Sequence, residues 1–260
     1  MTDATRSGRL SRLINSTIGA KIIMATTGVI LVGFLVVHMI GNLNVYVGSD
    51  AMNKYAQTLK SMPPLVWAVR LTLLVALVGH VLAAIKLKRK NTLARPVAYA
   101  TPRTYRVSSA AARTMLLSGL VVLAFIVYHL LHFTVGVAHA EHFHLYETLD
   151  LATQTWARSE NQQVIEKLMA TSPSLVRHDV FSMFVRSFMN PLVAGSYVVA
   201  QLLLGLHLSH AVSSMLHTLG LSKGADARAR SEKLGRAVAL LIFLPNLSFP
   251  IAVQAGLVHL

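Results

Sequence analysis

Four apolar segments of helical length each carry one deeply placed histidine: His38 in LVGFLVVHMIG, His80 in LLVALVGHVLAAI, His129 in LAFIVYHLLHF and His207 in QLLLGLHLSHAV. The last apolar segment of the sequence has none inside it. An imidazole inside a bilayer is costly, and its default reading is functional. One on each of four neighbouring helices is the donor set of two bis-histidine sites, and two b-type haems are the expected occupants. Zinc or copper is a poorer match, because no level gathers three or four ligands with carboxylates or thiols beside them. Cysteine is absent. That excludes disulfides, thiolate metal sites and iron–sulfur ligation, and it leaves coordination and packing, not covalent attachment, to hold a haem.

The elements that position these histidines follow from composition. A chain of 260 residues, 54% hydrophobic and 13% charged, is not a soluble globule. Segments 19–45, 65–87, 110–137, 191–216 and 234–258 are each long and apolar enough to span a bilayer, which takes about 20 residues. The expected fold class is therefore all-α, a single membrane bundle of five transmembrane helices over residues 1–260. The first apolar run is too long for a signal peptide and lacks an A-x-A-like cleavage site, so it is expected to remain as the first span.

The net charge of +14 is unevenly placed. Seventeen of the 24 Lys and Arg residues, with three of the ten acids, lie in or beside the segments before span 1, between spans 2 and 3, and between spans 4 and 5. The densest group is Lys86, Lys88, Arg89, Lys90, Arg95, Arg103, Arg106 and Arg113, with no acid among them. The opposite face holds seven basic and seven acidic residues. The positive-inside rule then predicts a cytoplasmic N-terminus and an external C-terminus, and the same basic face suits an acidic soluble partner. The link 46–64 ends in Pro63-Pro64, which suits a turn into span 2. The link 91–109 contains Pro96 and Pro102 and reads as an ordered or partly extended connector. In the long link 139–190, residues 149–169 are expected to form a surface helix, and Val180–Met189 an amphipathic helix lying in the membrane interface. No internal repeat and no nucleotide site is visible, so a redox partner must come from elsewhere.

Depth sorts the histidines into pairs. At about 1.5 Å rise per residue, His38 and His129 both lie roughly 27 Å along outward-running spans, whereas His80 and His207 lie roughly 10 and 15 Å from the cytoplasmic ends of inward-running ones. Two levels result, His38 with His129 near the outer face and His80 with His207 nearer the cytoplasm. Their offset of roughly 12–17 Å permits electron transfer between two haems. His132 and His210 sit three residues beyond His129 and His207 and share their faces; each is an alternative ligand, or a hydrogen-bond partner of a haem propionate or quinone. His139 and His217 lie at span ends, rotated about 80° from those ligands, and read as interfacial. The cluster His139, His142 and His144 beside Glu141 lacks a fourth ligand motif. Gly33, Gly41, Gly79 and Gly205 near the histidines leave room for a flat macrocycle, or serve tight helix packing.

The runs TTGVILVGFLVVHMIGN, VGHVLAAIKLKRKN, VYHLLHFTVG and LHLSHAVSSMLHTLGL resemble the cytochrome b membrane-anchor subunit of succinate dehydrogenases and fumarate reductases, in its single-chain, five-span, two-haem form. The resemblance extends over residues 18–260. It implies haem ligation by His38, His80, His129 and His207, one from each of two helices per haem. It also implies two haem b groups, a quinone substrate (menaquinone), and a complex in the bacterial inner membrane with a cytoplasmic flavoprotein and an iron–sulfur subunit, and it leaves room for a higher oligomer of that complex. The dicarboxylate chemistry would reside in those partners, and this chain would pass electrons to or from quinone. Candidate quinone residues are Ser16, Thr17 and Lys21 at the cytoplasmic end, and Asn42, Asn44, Tyr46 and Glu141 at the outer end; helix capping and interface polarity explain the same residues.

Two other classes compete. The haem b anchors of nitrate reductases, hydrogenases or formate dehydrogenases tend to draw two ligands from one helix at a spacing of about 13–14 residues, which returns to nearly one face; this chain has one per helix. A histidine-relay transporter calls for membrane acids beside the histidines and broken helices at mid-depth, and spans 1 to 4 contain no central Asp or Glu.

Overall fold

The computed structural model describes residues 16–94 and 110–260. The basic N-terminal stretch, the Pro96–Pro102 connector and Arg95, Arg103 and Arg106 lie outside the described residues. Among the described residues five helices are long and apolar enough to cross a membrane, which makes this a multi-pass, all-α membrane bundle. They are α1 (Thr17–Asn42), α3 (Pro63–Leu93), α4 (Ala110–Leu130), α8 (Pro191–Thr218) and α9 (Ala225–Gln254). Four match the apolar segments closely. The fifth begins earlier, because the charged stretch from Asp226 to Arg236 continues the same helix, and Gly256 at φ +70° follows its end.

Shorter elements join them. A 3-10 turn (Leu43–Tyr46) and α2 (Ser49–Lys60) follow α1. Pro63 and Pro64 occupy the first turn of α3, where a missing N–H costs nothing. After α4 the chain makes a π-helical turn (Leu131–Val135) closed by Gly136 at φ 81°. Then come α5 (Ala140–Phe143), β1 (Tyr146–Asp150), β2 (Thr155–Ser159), α6 (Gln162–Thr171), β3 (Val176–His178) and α7 (Val180–Met189). The strands form a small antiparallel sheet in the order β2-β1-β3.

That sheet corrects the expected surface helix over 149–169. Asp150 accepts bonds from the Ala152 and Thr153 amides at 2.8 and 3.4 Å, an Asx turn that reverses the chain into a hairpin. Helix begins only after Asn161, which caps α6 by accepting from Val164 N. The expectation for Val180–Met189 is half right. The helix is there, but Phe181 to Val185, Ser187 and Phe188 are all buried, so it is packed into protein and presents no broad apolar face to lipid.

The chain divides into two compact units, 1–36 with 67–116 and 206–240, and 37–66 with 117–205 and 241–260. The first is built on small residues. Ala20, Ala25, Ala76, Ala83 and Ser213 are buried, and a Cβ on Gly235 would sit 2.7 Å from the Ser209 carbonyl oxygen, so α8 and α9 meet backbone to backbone. The second has a larger apolar core, with Val45, Met52, Phe184, Phe188, Tyr197 and Phe249 at its centre.

Above that core, α2, the sheet and α7 form a cap held by buried charge. Asn53, fully buried, donates to Glu147 (3.1 Å) and Asp179 (3.0 Å) and accepts from Phe181 N (2.9 Å). Arg177 pairs with Glu147 (2.7 Å) and Asp50 (2.8 Å) and lies over the Trp156 ring. Arg158 pairs with Asp179 (3.2 Å) and donates to Ser182. Burial opposes ionisation of Asp179, but the Ser182 and Asn53 hydrogen bonds and the Arg158 charge outweigh it and hold its pKa below the ordinary carboxylate value.

Candidate functional site

The histidines of spans 1 and 3 meet in the second unit. The rings of His38 on α1 and His129 on α4 have centroids 5.8 Å apart with planes at 86°, so they meet edge to face and do not stack. Two imidazoles sharing one metal through bonds of about 2 Å have centroids roughly 6.3 Å apart. The observed separation of 5.8 Å is within about half an ångström of that value. The donor chemistry fits as well. Asn42 Nδ2 donates to His38 Nε2 at 3.3 Å, so that nitrogen carries no proton, and the amide would have to swing off its lone pair for a metal to bind there. Phe125, Phe133 and Tyr197 surround His129, with ring centroids at 5.8, 5.6 and 6.0 Å.

His80 on α3 and His207 on α8 belong to the first unit, and their imidazoles are close enough to interact electrostatically. Thr27 on α1 explains how His80 is oriented. Its hydroxyl proton goes to the Ile23 carbonyl at 2.7 Å, so toward His80 Nδ1, 3.2 Å away, the oxygen can only accept. His80 therefore carries its proton on Nδ1, and Nε2 presents a lone pair. Gly28 leaves the His80 edge and Met215 Sδ each 3.8 Å from where a Cβ would stand.

The two alternative ligands go elsewhere. His132, 1% exposed, has both ring nitrogens engaged: Nδ1 with Tyr197 Oη at 3.0 Å and Nε2 with Ser187 Oγ at 2.9 Å. Its ring stacks on Phe133 at 3.9 Å and lies 4.6 Å from His139. The π turn accounts for this, since it begins between His129 and His132 and an inserted residue re-aims the side chains that follow. His210 interacts with Glu232 and His217 as well as with His207.

The glycines have settled mostly on packing. Gly41 faces Tyr55, whose hydroxyl would lie 2.5 Å from an added Cβ; Gly79 faces Thr27 and Gly205 faces Phe243. Gly33 alone of the four has no atom within 4 Å of that position. The candidate quinone residues are dispersed. Ser16 accepts from Gly19 N at 2.8 Å and caps α1, while Thr17 and Lys21 are exposed. Asn42 is on His38, Asn44 donates to the Gly41 carbonyl, and Tyr46 pairs with Ser248 at 2.6 Å. Glu141, 64% exposed, sits 3.6 Å from His139 and 3.9 Å from His142. Among the described residues no group of three or more His, Cys, Asp or Glu side chains is placed to hold a metal ion. A bis-histidine site needs only two.

Thr27, Tyr197 and Ser187 are the site residues that sequence reasoning passed over. Depth would have found Thr27, since the levelling that pairs the histidines applies equally to hydroxyls. Searches of family models, curated proteins and solved structures give no match to this chain.

Proposed function

We propose that this chain is the di-haem cytochrome b anchor of a succinate:quinone oxidoreductase in the bacterial inner membrane. In this reading His38 and His129 hold the outer haem, and His80 and His207 the inner one. The observation that carries it is the 5.8 Å approach of the His38 and His129 rings from two different spans. The unprotonated Nε2 on both His38 and His80 supports it. When bound, each haem supplies one-electron transfer by its iron. The chain's own residues do the rest. The four histidines would hold the two groups, Thr27 and Tyr197 would fix ring orientation, and Phe125, Phe133 and Tyr197 would wall the His129 side.

The basic loops between spans face the cytoplasm in this reading and dock an iron–sulfur subunit beneath a flavoprotein, where succinate is oxidised or fumarate reduced. Quinone, menaquinone in the form expected here, exchanges electrons with the anchor. The test is direct. The chain purified with its partners should show reducible Soret and α bands and two haem b per anchor by pyridine haemochrome. It should also carry a flavoprotein and an iron–sulfur protein through purification. A colourless chain that purifies alone would overturn the reading.

A further inference from the structure

His129 at the end of α4 and His132 in the π turn that follows are not equivalent, and the Ser187 hydroxyl sets the direction of the hydrogen bonds around them. Ser187 Oγ lies 2.7 Å from the Met183 carbonyl oxygen, which can only accept, so the single serine proton is committed there. Toward His132 Nε2, 2.9 Å away, Ser187 must then accept. A charged imidazole at 1% exposure with no carboxylate among its direct partners is costly, so His132 is neutral. With its proton on Nε2, its Nδ1 is a bare lone pair. Tyr197 must donate to that lone pair across 3.0 Å. Having spent its one proton, the phenol oxygen can only accept from His129 Nδ1, 3.3 Å away. His129 is thereby left with Nε2 unprotonated.

We infer that α7, through the line Ser187–His132–Tyr197, fixes which nitrogen of His129 is free to bind a metal. His132 is thus a positioning residue that cannot itself be a ligand without breaking the line. Reversing any one bond reverses all those that follow. If His132 carried its proton on Nδ1, Tyr197 would have to accept there and donate to His129 Nδ1. The His129 proton would then sit on Nε2, and a metal would have to displace it. Ser187 of α7 thus acts on His129 through two intervening side chains, His132 and Tyr197. The relevance of that nitrogen to iron rests on the haem reading above; the direction of the line does not.

The experiment separates the two. The full-length chain, labelled with ¹⁵N-histidine and reconstituted in lipid bilayers without haem, is examined by solid-state NMR, with signals assigned by single His→Gln variants. His132 should carry its proton on Nε2 and His129 on Nδ1. S187A should move the His132 proton to Nδ1 and abolish the Nδ1–H signature of His129, S187T should restore both, and His80 should stay unchanged as the internal check that the bundle is intact. Y197F should leave His132 as it was and alter His129 alone. A His132 proton on Nδ1 in the unaltered chain overturns the inference, as does an S187A spectrum identical to it. In the haem-loaded chain, S187A should raise the midpoint potential of the His38–His129 haem and leave the other unmoved, because an imidazole without an Nδ1 acceptor is a weaker donor. Correct tautomers in a chain that takes up no haem would uphold the line and refute the haem reading. A haem lost in H132A, with the tautomers reversed, would do the opposite.

Discussion

The two histidine pairs are supported in opposite ways. His38 and His129 lie in a unit rich in aromatic rings, and His129 is tied by side chains to residues as far away in sequence as Ser187. His80 lies among small residues, and its orienting partner is a threonine whose own anchor is the backbone of the same helix. One site therefore depends on tertiary structure built from a long link, and the other on the packing of spans. A disturbance of the cap should reach the first and spare the second.

On the proposed reading the largest effect expected is loss of a cofactor. His80→Ala or His207→Ala should remove one haem of two and leave the His38–His129 haem, and His38→Ala or His129→Ala should do the reverse. His132→Ala and His210→Ala should keep both, though with shifted potentials. Haem content and low-temperature spectra of the six variants check this, and two full haems in His80→Ala would break the pairing. Next comes Asn53→Leu, which strips three bonds from buried partners. At about 1–3 kcal/mol for each group left unsatisfied, the cap should lose about 3 kcal/mol or more. Limited proteolysis within 139–190 should then be faster, with the His129 haem perturbed and the His80 haem intact. Equal damage to both would erase the distinction drawn above.

Thr27→Val is the matching probe of the other site. It preserves shape and removes the acceptor for His80 Nδ1–H, so haem retention at that site should weaken by about tenfold, measured by transfer to apomyoglobin. The smallest effect is acid sensitivity of the cap. Burial first, then the Lys60 charge, push the pKa of His178 down to about 4. Between its ordinary value of 6.5 and about 4 the unfolded chain binds this proton and the native chain does not, so stability falls as pH falls through that window. The depressed Asp179 pKa acts with the same sign at still lower pH. Hydrogen-exchange protection factors in β3 and α7, corrected for the intrinsic pH dependence of amide exchange, should fall between pH 7 and 5, and His178→Gln should flatten the response.

The spans were legible because hydropathy and segment length are local, regular quantities. Where those quantities stop deciding, the reading failed. The hairpin at Tyr146–Ser159 is polar enough to resemble a surface helix, and its turn depends on one aspartate accepting two amides. The π turn is a change of register with no compositional mark, yet it sends His132 to a serine 55 residues away. In α7 Ser182 and Ser187 are buried and bonded, which the pattern of an amphipathic segment does not reveal.

The Asn53-centred network also bears on how the molecule is handled. Its carboxylates and guanidiniums are close, mostly buried pairs, and mobile ions screen such pairs far less than exposed charges separated by a Debye length of about 8–10 Å. The basic end of α3, with Lys88 and Arg89 exposed, has no such protection. Raising ionic strength should therefore strip whatever that surface holds by charge while the cap stays folded, so a concentrated salt wash of native membranes is a means of separating assembly from architecture.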